Sequence, residues 1–180
     1  MRKTRRQLLL LGGALAALLL LYAAVTLLRP AAQEEGAVPL NTFDANAING
    51  ISYLSGGQAV TLEKDEAGEW YAPADPQRVL RQGAVTAMAT QSGRLKAADT
   101  VANTAGDGAA YGLDTPANVV TLRQGARQVT YLIGTKNPVT GDYYLQIQGQ
   151  PQIYTVEAAF AEAFSGDIAW LTQPGAEEEA

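Results

Sequence analysis

The side chains able to do chemistry are few in kind. The chain of 180 residues has no His and no Cys. Without His there is no Ser-His-Asp triad and almost no route to a zinc site, and without Cys there is no thiolate nucleophile, thiolate metal site or disulfide. What is left is carboxylates, hydroxyls and tyrosines. Asp107 and Asp114 are a pair of the kind that glycoside acid–base chemistry uses, but an acidic surface offers such pairs freely. Asp65, Glu66 and the run Glu177, Glu178, Glu179 could attract calcium loosely, yet no twelve-residue ligand loop surrounds them. The stretch Gly106-Asp107-Gly108-Ala109-Ala110-Tyr111-Gly112 misses the GxGxxG spacing, and there is no GxxxxGK[ST] phosphate loop. The sequence therefore assigns no catalytic residue, no metal ligand and no cofactor.

Binding is better served than catalysis. Residues 134–141, GTKNPVTG, are longer than the usual hairpin loop. They offer the polar side chains of Lys136, Asn137 and Thr140, in a kind of segment that often carries contacts. The bland alternative is a solvated connector. Tyr143, Tyr144 and Tyr154 could make an aromatic face. Strand alternation puts Tyr143 and Tyr144 on opposite sides, which sends one of them to the core.

These residues need elements to hold them, and the first element is apolar. Residues 8–28 include 18 apolar side chains, interrupted only by Gly12, Gly13 and Thr26. As a helix they reach about 31 Å, close to the hydrocarbon thickness of a bilayer. Arg2, Lys3, Arg5 and Arg6 precede the run, and the positive-inside tendency keeps them in the cytoplasm. With Arg29, the first 29 residues carry +5, while the remainder holds 8 basic and 18 acidic groups, or −10. A body of that charge repels nucleic acid. The run exceeds the ~7–15 apolar residues of a cleaved signal peptide. It reads as an uncleaved anchor, with cleavage and secretion as the alternative. Gly12/Ala16 and Gly13/Ala17 are small-xxx-small pairs that allow a second helix close, or simply ordinary Ala and Gly content.

The expected organisation is a basic cytoplasmic segment (1–7), a transmembrane anchor (8–28), a linker (29–40), a domain (41–171) and an acidic, unstructured tail (172–180). Within the domain the apolar period is mostly two, with Gly-containing turns at 56–57, 124–126 and 149–151. This predicts hairpins over 51–62, 120–133 and 143–156, a short strand at 69–72 and a further strand over 95–101. Asp75-Pro76 reads as the start of a helix over 76–91. A second short helix carries Phe160 and Phe164, and Ile168, Trp170 and Leu171 are expected to close the core. Trp70, Leu113, Val120, Leu122, Ile133, Leu145, Ile153, Phe160 and Phe164 are expected to be buried. The fold class is α+β, a small antiparallel-sheet domain of hairpins with one or two helices on it. No internal repeat is evident.

Tyr111-Gly112-Leu113-Asp114-Thr115-Pro116, the hairpin ending Ile133-Gly134, Tyr143-Tyr144 and Ile153-Tyr154-Thr155-Val156 together resemble the bacterial family called domain of unknown function 4340. The resemblance runs over about 41–171 with the N-terminal anchor. It implies a membrane-anchored envelope protein, often found beside ABC-type exporters, and no established catalytic residues. Many members are longer and carry a second copy of the module, for which this chain has no room. In physical terms Gly112 suits a tight turn, Leu113 plugs the core, Asp114 closes the turn and Pro116 launches a strand. The expected function is a non-catalytic, membrane-tethered extracytoplasmic accessory module, with the lipid bilayer as partner through 8–28 and an ABC-type permease as protein partner. The alternative is a carboxylate-dependent envelope hydrolase or sugar-modifying enzyme.

Overall fold

The computed structural model describes residues 38–41, 43–102 and 105–173, with no side-chain account of 102 and 105–107. The anchor at 8–28, with Gly12, Gly13, Ala16 and Ala17, lies outside the described residues, as does the tail beyond Gln173. A two-residue strand, β1 (Val38–Pro39), opens the described part. The first hairpin follows, β2 (Gly50–Ser55) and β3 (Gln58–Lys64). Its turn is Gly56-Gly57, both at positive φ, as a tight hairpin turn between twisted strands requires. Then come β4 (Trp70–Tyr71), α1 (Gln82–Gly93), β5 (Lys96–Ala97) and β6 (Asp99–Ala102). The second half holds β7 (Asn118–Gln124), β8 (Arg127–Lys136), β9 (Tyr143–Ile147) and β10 (Ile153–Val156), then α2 (Ala158–Ala163) and α3 (Ile168–Leu171).

Eight strands make one antiparallel sheet in the order β4-β3-β2-β7-β8-β9-β10-β6, and β1 pairs separately with β5. One face is covered by the helices. Val85, Met88 and Ala89 of α1, Phe160 of α2, Phe164 and Leu171 meet Ile51, Leu62, Val120, Leu122, Tyr131, Ile133 and Leu145 in a single buried cluster. All nine residues expected in the core are buried, as the period-two pattern demands.

Three elements differ from the sequence reading. The helix begins at Gln82, not at 76, because the chain's own end claims the residues before it. Leu80 bridges Thr172, Arg81 N–H donates to the Leu171 carbonyl (2.8 Å), and Gln173 N–H donates to the Val79 carbonyl (2.9 Å). Asp75 is thus no helix cap; it closes a turn on Ala72 and pairs with Arg78 at 3.1 Å. The strand expected over 95–101 is two short ones, split at Ala98, whose N–H donates to Thr155. Trp170 does not close the core; it is half exposed beneath the Arg81 guanidinium, 4.7 Å from its ring. In addition, of the residues assigned to the linker by sequence, Val38 and Pro39 pair with β5, and Leu40 is buried with its N–H donating to the Leu95 carbonyl.

A repeat is present that the sequence does not display. Adding 69 to each residue number carries all six β2–β3 pairs, from Gly50↔Glu63 to Ser55↔Gln58, onto pairs of β7–β8, from Val119↔Leu132 to Gln124↔Arg127. Ser52 and Thr121 are counterparts under that shift, and they pair directly across the β2–β7 seam. A pseudo-two-fold axis therefore passes between them. Each half also has a Pro-x-Asn ahead of its hairpin, and each Asn braces a helix end to the other half. Asn41 Nδ2 donates to the Ser92 carbonyl (2.8 Å) and to Tyr131 Oη (2.7 Å). Asn118 Nδ2 donates to the Phe164 carbonyl (2.8 Å), and its Oδ1 accepts from Leu54 N–H (3.0 Å).

Candidate functional site

The loop at 134–141 is built from its own residues. Asn137 Oδ1 accepts from the N–H groups of Val139 (2.9 Å) and Thr140 (3.4 Å), and Asn137 N–H donates to the Asp142 carbonyl (2.7 Å). Thr140 Oγ1 accepts from Asp142 N–H at 3.3 Å. Such side-chain-to-backbone bonds are what Asn and Thr do in turns. Lys136 Nζ lies 3.1 Å from Glu162 Oε1 of α2 and 5.3 Å from the Tyr143 ring. The Glu162 carboxylate holds the Lys136 ammonium above its ordinary pKa. Lys136, Asn137 and Thr140 are thus brought together, with their polar atoms serving the loop and its docking on α2. The loop also exposes a large apolar side chain that the sequence reading passed over: Val139, 90% exposed.

The Tyr111-to-Pro116 turn covers the other face of the sheet. Leu113 is buried there, on the side where Ile153 and Thr155 also lie. Gly112 takes φ +71°, and a Cβ on it would lie 2.7 Å from Thr135 Cγ2. Gly134 has no room for any side chain, because the Tyr111 carbonyl crosses directly over it. The turn closes through backbone bonds, Gly112 N–H to the Ala109 carbonyl and Leu113 N–H to the Gly108 carbonyl, rather than through the Asp114 carboxylate. That carboxylate is exposed, and the Asp107 side chain lies outside the described residues. Tyr144 stacks on Tyr111 (4.7 Å between centroids), Tyr143 packs against the core from the opposite face, and Tyr154 is buried on Tyr143's side. The three tyrosines therefore make no common aromatic face. Among the described residues, no three Asp or Glu side chains converge as a metal site would need.

A shallow cleft of ≈ 410 Å³ lies at the far end of β8 from this loop. Its floor is Leu40, Phe43, Val129 and Ile147, and its rim is Asn41, Arg127, Gln128 and Gln150. The Arg127 guanidinium sits 4.9 Å from the Phe43 ring. Pieces of three separate segments, 39–43, 127–129 and 147–150, meet here, so no local motif announces the cleft.

No curated protein and no solved structure matches the chain. The family described as "Domain of unknown function (DUF4340)" matches residues 70–171, from β4 through α3, a narrower span than 41–171 but one that includes the Tyr111-to-Pro116 turn. With more than half of its length inside that match, the chain belongs to the DUF4340 family.

Proposed function

We propose that the chain is a membrane-tethered extracytoplasmic interaction module that does no chemistry of its own and serves an ABC-type envelope exporter. The observation that carries this reading is the 21-residue apolar run, +4 before it and −9 after it, followed after nine residues by β1. The anchor keeps the domain within a short tether of any membrane partner and so raises its effective concentration there. The exporter as partner rests on the family resemblance. Two surfaces suit the contact. One is the 134–141 loop with Val139 at its tip. The other is the outer edge of β3, where β4 pairs only with Glu63 and Lys64 and leaves the strand from Gln58 to Leu62 open to a partner strand. Within the membrane, Gly12/Ala16 and Gly13/Ala17 offer a close-packing face.

Cross-linking in native membranes tests the reading. Capture of a polytopic permease, weakened by Val139→Asp and by replacing 8–28 with an unrelated Leu-rich helix, is expected. Protease added to spheroplasts should remove the body. A protected body sinks the topology, and hydrolysis of a cell-wall substrate that disappears in Asp114→Asn sinks the non-catalytic reading in favour of the hydrolase.

A further inference from the structure

We propose that Tyr111 and Tyr144 are an oxidative cross-linking site, which a one-electron oxidant of the haem-peroxidase class, drawing on hydrogen peroxide, converts to a dityrosine that fastens the Tyr111-to-Pro116 turn to the sheet. It is independent of the membrane-tethered reading above. Among the described residues this is the one contact between two tyrosine rings, with centroids 4.7 Å apart at 55°. Tyr53 and Tyr131 face Phe164 and Phe160 instead, and their hydroxyls are bonded across the core. Tyr143 lies under Lys136 on the opposite face of the sheet. Tyr111 and Tyr144 are both part-exposed, so they can give up electrons without the fold opening.

Both rings are carried on fixed backbone. The Tyr111 carbonyl crosses directly over Gly134 and accepts from Thr135 Oγ1 at 3.2 Å. Behind it the Gly112 and Leu113 N–H groups close the turn on Ala109 and Gly108. Tyr144 sits in β9 opposite Thr155 of β10. Two reactants held in contact react as one molecule, which favours coupling within the chain over coupling between chains. The ring torsions of Tyr are soft, so a small rotation brings ortho carbons of the two rings together. Each phenol gives up one electron and one proton, and the two phenoxyl radicals join by a carbon–carbon bond between ortho positions. The hydrogens on those carbons pass to the phenolic oxygens as the rings regain aromaticity. Hydrogen peroxide takes the two electrons and two protons and leaves as two waters. The chain has no Cys, so no disulfide can make this tie. Closing the segment from 111 to 144 restricts the unfolded chain as any cross-link does.

Dilute full-length protein treated with a haem peroxidase and hydrogen peroxide tests the site, with its peptides then mapped by mass. We expect a peptide pair joining Tyr111 to Tyr144, lighter by two hydrogens, and dityrosine fluorescence in the single-chain band of a denaturing gel. Tyr111→Phe and Tyr144→Phe keep the rings and lose the phenols, and each should cut that fluorescence at least about tenfold. Tyr143→Phe, one residue along the same strand and on its other face, should leave it unchanged. Urea should lower the 111–144 yield to that of other tyrosine pairs. In the cross-linked chain the Gly112 and Leu113 amides should exchange about tenfold more slowly. Coupling only between chains, coupling that survives either Phe variant, an equal yield in urea, or oxygen added to the half-exposed Trp170 with no Tyr111–Tyr144 bond overturns the site. A bond that forms while both amides exchange as before overturns the fastening, and with it the proposal.

Discussion

Tyr53 and Tyr131 are buried in the core with their hydroxyls hydrogen-bonded across it. Tyr53 Oη donates to the Gly166 carbonyl at 2.8 Å, and Tyr131 Oη accepts from Asn41. Burial pushes both phenols up to about 12, with the Asp167 carboxylate adding to the effect at Tyr53 and the Asn41 hydrogen bond working against it at Tyr131. These two phenols ionise near 10 in the unfolded chain and near 12 in the folded one. Between those values the unfolded state gives up protons that the folded state keeps, so stability falls as pH rises through that window and is intact below it. Alkaline titration, with Tyr53→Phe and Tyr131→Phe to assign the signals, should show these two phenols ionising only as far-UV structure is lost. Ionisation of Tyr53 and Tyr131 near pH 10 in folded protein would refute their buried placement. Burial of residue 53 was legible, since it alternates with Ile51 in a period-two strand. Its Gly166 partner was not, because 113 residues separate them.

At the scale of elements, local chemistry decided what closes locally. The three hairpins follow from alternation and from Gly at turns that need positive φ. The α1 start does not, since Asp75-Pro76 is a genuine helix signal that loses to pairing with the chain's far end. Gln82 shows how the loss is managed. Its Nε2 donates to the Trp70 carbonyl and its Oε1 accepts from Trp70 N–H, both at 2.8 Å. The side-chain amide thus stands in for a neighbouring strand and ends the sheet at β4. Gln82→Ala leaves both Trp70 backbone groups without that partner, next to a side chain only 3% exposed. The expected loss is about 2 kcal/mol by urea unfolding. Gln82→Glu, which keeps the acceptor and removes the donor, should fall between the two. A loss below about 0.5 kcal/mol for Gln82→Ala would mean that water replaces the amide without cost.

The described domain is two similar halves joined at a seam, and the sequence hides this for physical reasons. Counterparts on the inner face differ in size, Tyr53 against Leu122 and Leu62 against Tyr131, because the two halves pack against different helices. The first half carries extra residues between Asn41 and β2, and the second a longer β8–β9 loop, so no fixed period survives outside the hairpins. The candidate contacts divide the same way. The 134–141 loop could be picked out by its length, while the cleft exists only after β1, β8 and β9 have come together. The seam itself is short, with three β2–β7 pairs, and the Asn41 and Asn118 braces span it at either end. Ser52 and Thr121 face each other there, with Cβ atoms of such directly opposed pairs about 5 Å apart. Ser52→Cys with Thr121→Cys should therefore oxidise spontaneously in a chain that has no other thiol. Closing a loop of some 70 residues should add about 4 kcal/mol against the reduced form, less any strain. Thr61→Cys with Thr130→Cys occupies counterpart positions on β3 and β8, with β2 and β7 between them, and should stay reduced. Cross-linking of that outer pair, or failure of the inner one in folded protein, would place the two-fold axis elsewhere and undo the β2–β7 junction on which the continuous sheet depends.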